Sequence, residues 1–68
     1  MTENEMREIA RGAIERHLGD VAEKSPDSIY DEAMLLAIDA LIDAGAVGVE
    51  KQKAAEIASS VARDYAQP

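Results

Sequence analysis

The sequence predicts an all-α protein, a small antiparallel three-helix bundle. Apolar residues recur at spacings of three and four in three separate stretches. Glycines and a proline punctuate those stretches. Strand signals are nearly absent: no Phe or Trp occurs, and Tyr30 and Tyr65 are the only aromatic residues. One helical domain is expected over residues 1–68, with helices at roughly 4–20, 26–44 and 49–66 and room for a short extra helical turn in a connection.

The first helix is read from Met6, Ile9, Ala10, Ala13, Ile14, Leu18 and Val21, which share one face. Arg7, Glu8, Arg11, Glu15 and Arg16 fall opposite. Gly12 stands inside this helix at a cost of about 1 kcal/mol relative to alanine. Gly19 offers a C-terminal cap, yet the apolar period continues through Val21 and Ala22, so the pattern allows an end at Gly19 or at Lys24.

Ser25-Pro26-Asp27-Ser28 starts the second helix. Ser25 suits the cap, Pro26 the first helical position, and Asp27 the positive end of the dipole. The helix runs to Ala44 and stops at Gly45. Ala46-Val47-Gly48 is a short link, which implies an antiparallel return. The third helix carries Ala54, Ile57, Ala58, Val61, Ala62 and Tyr65 on one face.

The second helix differs from its neighbours. Between Lys24 and Lys51 there is no Lys, Arg or His, while Asp27, Asp31, Glu32, Asp39, Asp43 and Glu50 lie in that gap. At 100° per residue, Asp31, Glu32, Asp39 and Asp43 share a sector of about 120°. The rest of the wheel is apolar. Tyr30, Met34, Ala37, Ile38 and Leu41 form one face, and Ile29, Ala33, Leu36 and Ala40 the adjoining one. Leu35 and Ile42 project into the acidic sector. This helix is expected to be the central and most buried element, with Leu35 and Ile42 left exposed and rimmed by charge, as at a binding surface.

Composition narrows the function classes. The chain is 47% apolar, too much for a disordered tail. Many of those residues are alanines, so the core must be thin. With no cysteine there is no disulfide and no thiolate metal ligand. The net charge of -7 opposes direct nucleic-acid binding and binding to an anionic membrane. Residues Thr2–Glu5 are acidic with no apolar run behind them, so no secretory signal is expected. No stretch approaches the roughly 20 apolar residues of a membrane span. A cytoplasmic protein is expected.

Catalysis and metal binding find little support. His17, the only histidine, sits at the margin of the first apolar stripe and is expected to pack on its ring face. It has no Cys or second His to complete a metal site. Asp39 to Glu50 spans the length of a calcium loop. Leu41 and Ala44, however, stand where a ligand and a glycine are needed, and Asp39 to Asp43 reads as helix. No enzyme activity, cofactor or metal is expected.

Asp27-Ser28-Ile29 at the head of an acidic helix resembles the Asp-Ser-Leu motif of acyl and peptidyl carrier proteins. The resemblance implies a phosphopantetheine arm on Ser28, with Asp31, Glu32 and Asp39 docking on basic partner enzymes. Ser25 stands where that family carries glycine two residues before the Asp.

The residues themselves favour a non-enzymatic interaction module. The expected binding residues are Asp31, Glu32, Leu35, Asp39, Ile42 and Asp43. Carboxylates one turn apart repeat negative charge about every 6 Å, a row that a basic groove built for phosphates attracts. An inhibitor or adaptor that mimics DNA and blocks a nucleic-acid-handling protein fits this pattern. Phage and mobile-element inhibitors of host defence have this size and charge. The alternatives are a carrier using Ser28 and a homodimer that buries Leu35 and Ile42.

Overall fold

A computed structural model describes residues 1–18 and 26–66. They form three helices: α1 (Glu3–Leu18), α2 (Pro26–Asp43) and α3 (Glu50–Ala66). All three pack on one another as a small three-helix bundle. The Met1 ammonium lies 3.2 Å from Glu50 Oε2, which brings the starts of α1 and α3 to the same end. The α2–α3 hairpin is pinned further along by Tyr30 and Ser59, whose hydroxyls are 2.7 Å apart.

Helix α1 starts on a complete capping box. The Glu5 N–H donates to Thr2 Oγ1 (3.1 Å), and the Thr2 N–H reaches Glu5 Oε1 (3.3 Å). Two otherwise unsatisfied amides are thereby paired. Met6, Ala10, Ala13 and Ile14 are buried, while Ile9 and Leu18 pack half-buried beside them. Whether α1 ends at Gly19 or at Lys24 lies outside the described residues, as does the Ser25 cap of α2.

The end of α2 is a Schellman motif. The Ala46 N–H donates to the Leu41 carbonyl (2.9 Å), and the Gly45 N–H to that of Ile42 (3.0 Å). Gly45 carries the positive φ of 108° that this geometry demands of a residue without Cβ. Ala46 and Leu41 are both fully buried in one cluster, which supplies the apolar contact that accompanies the motif. Ala44 belongs to this turn rather than to the helix. The Ala44–Val49 connection holds no extra helical turn, and the connection before α2 lies outside the described residues.

The core is built largely from alanine. Of the 14 buried apolar residues described, Ala10, Ala13, Ala33, Ala37, Ala46, Ala54, Ala58 and Ala62 are alanines. Small side chains let the helices approach closely, and the few large ones carry a large share of the burial. In α2 the buried file is Ile29, Ala33, Ala37 and Leu41, spaced four apart. Tyr30, Met34 and Ile38 on one side, and Leu36 and Ala40 on the other, are half-buried. Among the described residues α3 buries five (Ala54, Ile57, Ala58, Val61 and Ala62) and α2 four, and α2 gives one whole sector to solvent. Helix α2 packs against both α1 and α3.

Gly12 lies half-buried inside α1, and a Cβ there would meet the end of the Arg16 side chain at 3.3 Å. That flexible guanidinium can swing aside. Gly12→Ala is expected to raise stability by about 0.5–1 kcal/mol, or roughly 3–6 °C in the thermal midpoint. Thermal unfolding followed by circular dichroism checks this, and a lowered midpoint would mean that Arg16 is held in place.

Candidate functional site

Two rows of residues spaced four apart give α2 its two sides. One is the buried file Ile29, Ala33, Ala37 and Leu41. The other is Asp31, Leu35, Asp39 and Asp43, every member of which is exposed. Glu32 and Ile42 are exposed beside this second row. Leu35 is 61% exposed and Ile42 38%, although both are large apolar side chains. They are seven apart, so they lie on one face about 10 Å apart along the axis.

Charge sharpens the contrast between the helices. Helix α2 holds five acids and no base; α1 holds four acids against three arginines, and α3 three acids against three bases. Most of the net negative charge therefore comes from a single helix. Asp31, Asp39 and Asp43 have no ion-pair partner among the described residues. Asp39 and Asp43 are one turn apart, where like charges repel by about 0.2–0.5 kcal/mol. Asp43 also occupies the last turn, the negative end of the helix dipole, where no base offsets it. This arrangement costs local stability and leaves carboxylates and two large apolar side chains facing solvent together.

His17 is exposed, contrary to the expectation that its ring would be packed. It stands in the last turn of α1, where a polar ring keeps its nitrogens in water. With Leu18, Glu32, Leu35 and Leu36 it lines an open groove of about 350 Å³ between α1 and α2. The groove meets the acidic row at Leu35 and Glu32, and tertiary packing alone brings its two walls together. Ser28 is exposed in the first turn of α2. Among the described residues no His, Cys, Asp and Glu gather as a metal site, and no helix is long and apolar enough to cross a membrane.

Two further exposed apolar residues, Val47 and Val49, flank Gly48 in the α2–α3 turn. The sequence places Val47 in the connection and Val49 at the start of the third helix, with no role for either. The signal was present, because β-branched residues are unusual where Gly, Asn, Asp and Ser dominate.

Compared with models of protein families, with curated proteins and with solved structures, the chain matches none.

Proposed function

We propose that the chain is a non-enzymatic interaction module whose α2 docks on a basic surface of a nucleic-acid-handling protein, in the manner of a phosphate or DNA mimic. The observation that carries this reading is the exposure of Leu35 and Ile42 inside a sector bounded by Asp31, Glu32, Asp39 and Asp43, on a helix without a single base. An acidic face kept only for solubility has no use for two exposed large aliphatic side chains. Nor does it call for a carboxylate at the C-terminal end of a helix. The carboxylates would steer the encounter and set register, while the aliphatic pair would supply the dry centre of the contact. An isologous homodimer through this face would set the acidic row of one copy against that of the other.

A photo-crosslinking side chain at position 35, expressed in the native cell, tests the reading. It should capture a protein with a basic, nucleic-acid-binding surface, and the same group at the exposed Gln52 of α3 should not. Capture of the same proteins from both positions would contradict the proposal. The intact mass should show no phosphopantetheine on Ser28 after co-expression with a broad phosphopantetheinyl transferase; such an adduct would favour the carrier reading instead.

A further inference from the structure

We infer that the groove between α1 and α2 seats one element of the partner, an amphipathic helix that places a large apolar side chain against Leu18, Leu35 and Leu36 and basic side chains along Asp39 and Asp43. This rests on the reading that α2 binds a basic protein surface. The groove is open and holds about 350 Å³, with His17 and Leu18 of α1 on one wall and Glu32, Leu35 and Leu36 of α2 on the other. Leu18 and Leu36 are half-buried, and Leu35 is 61% exposed. Three leucines from two helices thus converge on one concavity. A helix suits such a seat, because it satisfies its own backbone and enters with side chains alone.

The two flanks of α2 identify which of its acids border the groove. Tyr30 faces α3, because its hydroxyl lies 2.7 Å from that of Ser59. Leu36 faces α1, because it lines the groove with His17 and Leu18. At 100° per residue, Glu32, Leu36, Asp39 and Asp43 fall within a sector of about 60°. These four residues form the α1-side rim of α2, which runs about 16 Å from Glu32 to Asp43. Asp39 and Asp43 are exposed and have no ion-pair partner among the described residues. Bases stand at the other end, where Arg16 and His17 are exposed in the last turn of α1. Charge therefore changes along the groove, from bases beside the leucines to carboxylates one and two turns beyond Leu36. The complementary occupant is a helix with Lys or Arg three and seven residues from the seated apolar side chain, on the same face. Nucleic acid or anionic lipid would instead set phosphates against Asp39 and Asp43.

The test uses ¹⁵N-labelled protein and a synthetic helical peptide with a central leucine and lysines three and seven residues beyond it. One control peptide has that leucine replaced by glutamine, and another has glutamate in place of both lysines. The leucine–lysine peptide should shift the amides of both walls, at His17, Leu18, Leu35 and Leu36, and those of Asp39 and Asp43. Asp39→Asn combined with Asp43→Asn should weaken its binding roughly fivefold or more, and each control peptide should bind wild type more weakly by a similar factor. The same double variant should not weaken the glutamate peptide. Shifts confined to the outer face of α2, with His17 and Leu18 silent, would overturn this inference and leave the proposed function standing. Equal binding of the lysine and glutamate peptides would overturn it as well. So would nuclear Overhauser contacts of the chain's own Val21 with Leu35 and Leu36 in the free protein, because the groove would then be filled from within. A peptide that shifts nothing also overturns it, and the proposed function is then judged by the protein captured from position 35.

Discussion

Leu41→Ala should remove much of the protein's stability, whereas Leu35→Ala, on the same helix, should change it hardly at all. Leu41 is fully buried in the core cluster shared by the three helices and Ala46, and it is one of the few large side chains in a core made mostly of alanine. Truncating a buried leucine costs about 2–5 kcal/mol, the upper part of that range applying where neighbours cannot collapse into the space. Alanines have no side-chain freedom with which to fill a void. A domain of this size has a total stability of roughly 3–10 kcal/mol, so the variant should be partly unfolded at ambient temperature. Leu41 also supplies the carbonyl and the apolar contact of the Schellman motif, so the α2–α3 turn should loosen with it. Leu35 is 61% exposed and should fall within about 0.5 kcal/mol of wild type. Denaturant unfolding of both variants checks this. Equal losses would mean that Leu35 is covered, most simply by self-association.

The second large effect is on binding. Changing Asp31, Asp39 and Asp43 together to Asn should weaken the partner complex by roughly 10–100-fold, about 0.5–1 kcal/mol for each solvent-exposed charge pair. The same change should stabilise the free protein by about 0.5–1.5 kcal/mol, because it relieves the Asp39–Asp43 repulsion and the unfavourable dipole contact of Asp43. A fitting control is Glu8, Glu15 and Glu56 changed to Gln, all exposed on α1 and α3. Glu3 and Glu5 are unsuitable controls, since one pairs with Arg7 and the other caps α1. Opposite signs for stability and affinity are the mark of residues retained for binding rather than for folding.

Much of the fold was legible because periodicity and glycine stops report backbone geometry directly. The described residues of the α1 and α3 stripes are buried or half-buried, and Gly45 ends α2. The two sides of α2 were legible for the same reason, since a helical wheel fixes angle without reference to neighbours. Thr2-x-x-Glu5 also spells its capping box, although the acidic run invited a reading as charge alone. Other features depend on tertiary position. The wheel could not show that His17, at the margin of the apolar stripe, falls exposed in the last turn of α1. The exposure of Val49 becomes visible only once the start of α3 is placed to the residue.

The claim that the acidic, leucine-bearing face of α2 is the binding site is tested most directly by calorimetric titration of the crosslinked partner, once purified. Wild type, the Asp31/Asp39/Asp43→Asn variant and the Glu8/Glu15/Glu56→Gln control are compared at two salt concentrations. Screening shortens to about 8 Å at physiological ionic strength and further above it. The affinity of wild type should therefore fall as salt rises, the aspartate variant should be weak and nearly indifferent to salt, and the control should follow wild type. Equal losses from the two triple variants, or a wild-type affinity that ignores salt, would contradict the account.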